Sequence, residues 1–332
     1  MLGVRLRSPG NRLIWLAAFA AAAWLGASAA SAQSYPNRVI RIIHGFAPGG
    51  AADTLSRIIA EGLSKQLGQN VIVEAKPGAG GNIGSEAVAK AEPDGYTLGL
   101  VTGGHAISGA LYNDLRFEPV DSFQMISTLV YYALVVAVRS DHSAKTLGEL
   151  IAITKANPGT LSFGSVGFGS THHLAGELLK KSAGIDMVHV PYRGDSQAIG
   201  ALLSGDVPVI VGTAVLLAPQ IESGTVRGLA ITSPTRSALL PNVPTAAEAG
   251  LKDFDVRTWA GLLAPKGTPP EAVAQLNKAV QASLADPAIK SKLESAVGGE
   301  ARGSTPAEMR DLVASEIVKW RALIEAAKIP KI

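Results

Sequence analysis

The chain has 332 residues, 47% of them hydrophobic and 17% charged, and no cysteine. Without thiols there are no disulfides, thiolate nucleophiles or zinc–thiolate centres, and no cysteine to carry a lipid anchor. The formal charge of +3 suggests a phosphate-tracking surface only until it is located: three of the 30 bases and none of the acids lie in residues 1–32, which leaves 27 against 27, so nucleic acid is not expected as a partner.

Arg5, Arg7 and Arg12 precede an apolar run over residues 13–27, which ends in Ala30-Ser31-Ala32. A basic start, a short apolar middle and small residues before a cut make a secretory signal peptide, and the run falls short of the roughly 20 residues of a membrane span. Residues 1–32 are therefore read as a signal peptide cleaved after Ala32, giving a free periplasmic protein that is not a lipoprotein.

The rest opens as alternating strands and helices, the pattern of parallel α/β sheets. Residues 39–44 read as a strand, Gly45-Phe46-Ala47-Pro48-Gly49-Gly50 as a turn, and Ala51 begins a helix with Leu55, Ile58, Ile59, Leu63 and Leu67 on one face, closed by Gly68. A strand over 71–73, a second glycine-rich turn at Lys76–Gly81, a helix to Ala91 and a strand over 96–101 complete the unit. The same plan returns after residue 160: strand 161–163, loop Gly164-Ser165-Val166-Gly167-Phe168-Gly169, a helix capped by Ser170 and ended by Gly184, strand 187–190, turn Pro191-Tyr192-Arg193-Gly194, a helix to Leu203 and a strand over 207–211. Two copies of one unit predict two lobes: residues 33–134 with 262–332, and residues 135–261. Residues 133–138 and 259–264 are expected to be the crossing strands. Thr268-Pro269-Pro270-Glu271 and Thr305-Pro306-Ala307-Glu308 each predict a capping box with proline at the helix start.

Both glycine loops follow strands, where ligands bind in open α/β sheets. Backbone N–H groups and the helix N-terminus behind such a loop suit an anion. The first loop lacks a G-K-[ST] ending, and His172 breaks a dinucleotide fingerprint in the second, so a nucleotide is not expected. No serine sits in G-x-S-x-G and no metal-ligand spacing is present, so the chain is expected not to be an enzyme and to need neither metal nor cofactor. Arg193 is either a bidentate partner for a carboxylate or a solvated turn residue, and Tyr192 either a wall of the site or a packing residue. His105, after Thr102-Gly103-Gly104, is either a ligand contact or a helix-start residue, and His44 and His189 are each open between core and site.

Pro48-Gly49-Gly50-Ala51-Ala52-Asp53, Lys76-Pro77-Gly78-Ala79-Gly80-Gly81-Asn82-Ile83-Gly84, Pro93-Asp94-Gly95-Tyr96-Thr97-Leu98, Gly164 to Glu177, His189-Val190-Pro191-Tyr192-Arg193-Gly194 and Leu240 to Gly250, in that order and spacing, resemble the Bug family, extracytoplasmic receptors of tripartite tricarboxylate transporters. The resemblance covers essentially all of 35–332. It implies an α/β, two-lobed periplasmic binding protein of type II-like form, each lobe a central sheet flanked by helices, closing on a ligand in the cleft. It implies a carboxylate (a di- or tricarboxylate, an acidic amino acid or an aromatic carboxylate) held through backbone N–H groups, small side chains and water. The positions that carry this over are Phe46, Ala47, Pro48, Gly49, Gly50, Ala51, Ala52 and Asp53 in lobe one, and Ser165, Val166, Gly167, Gly169, Ser170, Thr171, His172, Tyr192, Arg193 and Thr213 in lobe two. The implied partners are integral-membrane transporter subunits like TctA and TctB, or else a sensor kinase, and a monomer is expected.

Overall fold

In the computed structural model, which describes residues 35–252 and 254–332, the apolar run Ile40–His44 forms β1, buried except at Arg41. The fold is built from residues 38–332; the signal peptide read in residues 1–32 lies outside the described residues. Helix α1 (Ala51–Leu67) buries Leu55, Ile59 and Leu63, and Gly68 ends it at φ 65°, a left-handed turn that costs glycine no Cβ clash. Strand β2 (Val71–Ala75), helix α2 (Asn82–Ala89), strand β3 (Thr97–Thr102) and helix α3 (Gly104–Leu111) complete the first unit. Strand β4 (Phe123–Arg139) then leads to the second: α4 (Leu147–Ala156), β5 (Ser162–Ser165), α5 (Thr171–Ala183), β6 (Val188–Pro191), α6 (Asp195–Ser204), β7 (Val209–Thr213), α7 (Ala214–Glu222) and β8 (Val226–Ile231). Strand β9 (Arg257–Pro265), helices α8 (Pro270–Ala285) and α9 (Pro287–Val297), the short β10 (Glu300–Ala301) and α10 (Pro306–Ala326) finish the chain.

The strands run β2-β1-β3-β9-β4-β7-β5-β6, with β8 and β10 also paired to β4. Pairs β1/β2, β1/β3, β5/β6 and β5/β7 are parallel, as strand–helix–strand units require. The long strand β4 joins two half-sheets by changing partners: residues 123–133 pair antiparallel with β9, residues 134–138 with β7 and residues 135–139 with β8. Its first half was missed because Ser127, Thr128, Tyr131 and Tyr132 interrupt the apolar run. Two register shifts, at 125/127 and 128/130, accommodate them, and the Thr128 hydroxyl donates to the Arg302 carbonyl at 2.8 Å. The expected return strand is β9, paired with β3 and with the first half of β4.

Each half-sheet has its own core. Ile43, Val101, Phe123, Trp259, Met309 and Val313 pack in one, and Val135, Leu202, Ile210, Leu217, Ile231 and Val243 in the other. At the C-terminus one capping box forms and one does not. Thr305 accepts from Glu308 N while Glu308 reaches back to Thr305 N at 2.7 Å. Thr268 instead turns its hydroxyl onto Pro265 O at 2.8 Å, and the helix is capped by Pro269 with no side-chain bond, because two successive prolines move the first helical turn one residue on.

The second core rests on Leu202, which is fully buried. Leu202→Ala is expected to lower unfolding free energy by about 2–5 kcal/mol in urea titrations with an unchanged slope; a loss below about 1 kcal/mol would show that this core does not carry the lobe.

Candidate functional site

The loops after β1 and β5 and the turn after β6 bring the starts of α1, α5 and α6 to one place. The first loop is braced from below. Gly49, at φ 80°, donates its N–H to Asp53 Oδ2 at 3.1 Å, and Asp53 also meets Arg57 at 3.1 Å and His44 Nε2 at 3.2 Å. Burial pushes the Asp53 carboxyl up, but the Arg57 hydrogen bond, the Gly49 N–H and the neighbouring charges hold it below the ordinary value. The same burial lowers His44, against the attraction of Asp53. Asp53 therefore holds the loop and faces away from the cleft.

The second loop is braced by side chains that the sequence left undecided. Ser170 accepts from His173 N at 3.2 Å and donates to Gly167 O at 2.6 Å, so it caps α5 and ties the loop to it. Ser165 Oγ is buried, accepts from Gly167 N at 3.1 Å and lies 2.6 Å from His189 Nε2. The buried Nδ1 of His189 has no partner, so the proton belongs on Nε2, where it is bonded, and the Ser165 hydroxyl donates to Gly167 O at 3.3 Å. With Nδ1 unpartnered, no carboxylate among the described residues orients this ring as the acid of a catalytic triad would. His189 stacks on His173 at 4.1 Å and on Phe163 at 5.0 Å, while Phe168 packs edge-on to both histidines. This aromatic stack is the core role for His189.

The two halves meet across these loops. Ala47 N donates to Arg193 O at 3.0 Å, Ser196 Oγ to Gly49 O at 3.1 Å, Ala51 N to Asp195 Oδ2 at 3.3 Å and Tyr112 Oη to Phe168 O at 3.2 Å, while the hydroxyls of Thr171 and Thr258 meet at 3.1 Å. Gly80, at φ 63°, is required here: a Cβ would lie 2.0 Å from Phe168 O.

Between the halves is a cavity lined by Phe46, Ala51, Ala52, Thr102, Tyr132 and Thr258 from one side, and by Val166, Ser170, Thr171, His172 and Asp195 from the other. About 20 Å³ of it admits the centre of a water-sized sphere, the room of one or two waters. Seven of the residues expected at the site line it: Phe46, Ala51, Ala52, Val166, Ser170, Thr171 and His172. Ala47, Gly49 and Gly50 meet the other half beside it, and Pro48 is exposed. Gly167 packs against Gly80, and Gly169 against the Tyr112 ring. Thr213 stands one layer back, donating to Asp195 Oδ1 at 2.7 Å. Of the two readings of Arg193, the structure matches the turn residue: it is exposed, its carbonyl accepts from Ala47 N across the halves, and it does not line the cavity. Tyr192 is half-buried against the second core, its packing role.

Four lining residues lie outside those expected at the site: Asp195, Thr102, Thr258 and Tyr132. Burial pushes the Tyr132 hydroxyl well up, and the Asp195 charge adds to it. Asp195 is itself buried, which raises its carboxyl, yet His172, Thr213 and the Ala51 N–H hold it below the ordinary value. A second, smaller chamber lies behind Phe46 and Thr102, lined by Asn82, Ser85 and His105. His105 lines that chamber and not the main cavity: Nε2 donates to Pro119 O at 2.8 Å, Nδ1 accepts from Ser85 at 3.2 Å, and the ring stacks on Phe117. Among the described residues no three His, Cys, Asp or Glu side chains gather at metal-binding spacing, and no helix is long and apolar enough to cross a membrane.

Two half-sheets, each with its own core, sharing the long strand β4 and bringing helix N-termini from both sides to one small cavity, define a two-lobed periplasmic binding protein. Solved structures share this fold: periplasmic binding protein BugD (TM-score 0.86, 35% identity, covering 90% of this chain and 100% of that one) and MatC from Rhodopseudomonas palustris with bound malate (TM-score 0.83, 32% identity, 87% and 100%). The chain belongs to the TctC family, described as the tripartite tricarboxylate transporter family receptor, whose model matches residues 55–329. A UPF0065 protein in the tcbD-tcbE intergenic region of Pseudomonas sp. (strain P51) is 36% identical over 293 residues, 88% of this chain and 87% of its own length. Family and structural relatives are binding proteins and not enzymes, in keeping with a Ser165–His189 pair that no carboxylate among the described residues orients.

Burial lowers His105 and His173 to about 4 and His189 to about 3, from an ordinary 6.5. All three are neutral in the folded protein and take up protons more readily unfolded. Their contribution to stability is therefore full above pH 6.5 and is lost as pH falls from there towards 4, by up to about 1.4 kcal/mol per pH unit for each. Urea midpoints measured from pH 7.5 to 4.5 should fall steadily below about 6.5; a flat profile would place these rings in water.

Proposed function

We propose that this protein captures a small carboxylate in the periplasm, after removal of residues 1–32 behind Ala32, and delivers it to integral-membrane subunits of a tripartite tricarboxylate-type transporter. The observation that carries this reading is the cavity itself: first-turn residues of α1 and α5, from opposite halves, face each other across it, and no lysine or arginine lines it. A carboxylate there is held by backbone N–H groups and helix dipoles, by the hydroxyls of Thr102, Thr171 and Thr258, and by bridging water. The malate in the MatC structure is a ligand of this chemical kind.

Room for one or two waters is less than any dicarboxylate needs, so the ligand enters when the halves part. In this reading the lobes follow the two half-sheets, residues 33–134 with 262–332 and residues 135–261, except that Arg257–Gly261, which pair with β3 and the first half of β4, go with the first lobe, and the partner change in β4 is where the lobes bend. Closure brings Gly80 against Phe168 O, so Gly80→Ala wedges the lobes apart at the seam while leaving both cores intact. Its carboxylate affinity should fall at least tenfold, with little loss of ligand-free melting temperature; unchanged affinity would mean that the seam does not close on the ligand.

Thermal shift with a panel of di-, tri- and aromatic carboxylates and acidic amino acids tests the function. A ligand at a hundred times its Kd stabilises by about 2.7 kcal/mol. Ser170→Ala, which unties the second loop, should weaken the best ligand several-fold. Arg193→Lys should leave it within about twofold, since that guanidinium stands in solvent. A panel in which nothing raises the midpoint at millimolar concentration would sink the carboxylate reading.

A further inference from the structure

The cavity has one formally charged side chain with no freedom to leave it. Asp195 is 5% exposed, lies in the first turn of α6, and makes no cap bond to its own helix. Its oxygens face outward from that helix: Oδ2 accepts from Ala51 N of the opposite half at 3.3 Å, and Oδ1 from the Thr213 hydroxyl at 2.7 Å. His172 Nε2 stands 3.5 Å from Oδ1 and 3.4 Å from Thr213 Oγ1, too far for a strong bond to either. Thr213 spends its proton on Asp195, so Oδ1, the oxygen nearest His172, is already supplied with a donor.

A carboxylate has about four lone-pair sites, and two are used at hydrogen-bond distance. The rest open onto a cavity whose other lining groups are hydroxyls, small apolar side chains and the Phe46 ring, with no lysine or arginine. A ligand carboxylate set against Asp195 would put two like charges together where water is nearly excluded, an arrangement that strongly disfavours one of them. The ligand's carboxylate is thereby directed to the other end, the first turn of α5, where the N–H groups of Thr171 and His172 have no partner within the helix. What fits beside Asp195 is a hydrogen-bond donor, best a charged one.

We infer that Asp195 is a specificity residue, selecting carboxylates that carry an ammonium or hydroxyl group next to the carboxyl over the same skeleton with hydrogen there. The inference rests on the reading of the cleft as a carboxylate site and adds the substituent it requires. Charge sign does the selecting: helix N-termini take the ligand's anion, and the buried acid takes its donor. Positions 193–196 then divide their work, with the Arg193 carbonyl and the Ser196 hydroxyl closing the seam and Asp195 reading what is inside it.

Two matched series test it by isothermal titration calorimetry on the protein lacking residues 1–32, at pH 7.5: succinate, malate and aspartate, and 3-phenylpropionate, phenyllactate and phenylalanine. In whichever series binds, the hydroxyl- or ammonium-bearing members should bind at least tenfold tighter than the unsubstituted acid. Asp195→Asn, which keeps the shape and removes the charge, should bring the members within about threefold of one another. The inference is overturned if the unsubstituted acid binds as tightly as its substituted partners, or if Asp195→Asn leaves the gap unchanged. The wild-type ratios decide the matter even if that variant does not fold. Binding of either series with no preference leaves the carboxylate reading standing and removes only the role of Asp195; no binding in either series removes both.

Discussion

The parallel strands of each half-sheet end at one edge, so the helices that follow them begin there, and the starts of α1, α5 and α6 come together around one small cavity. Helices α1, α3, α5, α6 and α7 start at Ala51, Gly104, Thr171, Asp195 and Ala214, each directly after a strand or its loop. Each start carries partial positive charge, worth about 0.3–1 kcal/mol to a nearby anion and up to about 2 where water is scarce. A lysine or arginine in the cavity would oppose those of α1, α5 and α6. The absence of lysine and arginine from the cavity lining is the electrostatic complement of the topology, and of the two buried acids near it Asp195 takes one of its donors, the Ala51 N–H, from such a helix start.

The cost of so many converging N-termini is that the loops between them must pass very close to each other. Gly80 touches the Phe168 carbonyl, Gly45 lies against Gly81, and Gly104 faces Gly169 O. Loops without side chains need another source of rigidity, and they take it from beneath. Asp53 ties Gly49 to α1, while Ser165 and Ser170 tie Gly167 to β5 and α5. Behind the second loop, the Phe163–His189–His173–Phe168 stack does with ring faces what hydrogen bonds do in the first. Neutral histidines suit that position because an imidazole packs like an aromatic ring yet still offers Nε2 to Ser165.

Much of the fold was legible in the chain. The doubled strand–loop–helix plan, the Ser170 cap, the Gly68 and Gly184 stops and the Thr305 capping box all depend on local chemistry, which sequence carries directly. What did not follow depends on partners distant in the chain. The first half of β4 hides its polar residues against Arg302 and Ser304, about 175 positions away in sequence. At the site, loop residues were legible by their glycines, and seven of those expected do line the cavity. Arg193 drew notice as the one base beside a loop, but which way a turn points its side chain is set by the tertiary seam. Asp195, two residues on, has a first-turn position that sequence can only read as helix start chemistry; its role appears when Ala51, 144 residues earlier, is brought 3.3 Å from it.

That contact also binds recognition to closure. Asp195 belongs to the second half and the Ala51 N–H to the first, so their hydrogen bond exists only when the cleft is shut. The Ala51 N–H is, by position, one of the donors a ligand anion would seek, and Asp195 already occupies it. An anion binding at the first turn of α5 leaves this latch in place, whereas one binding at the first turn of α1 must displace it and lose the contact that holds the lobes together. The geometry therefore favours ligands oriented with the carboxylate toward Ser170 and Thr171, and closure over such a ligand keeps every seam hydrogen bond that the closed form has. On the proposed reading of the cleft, orientation, substituent choice and lobe closure would be set together by the placement of one buried acid at the start of α6.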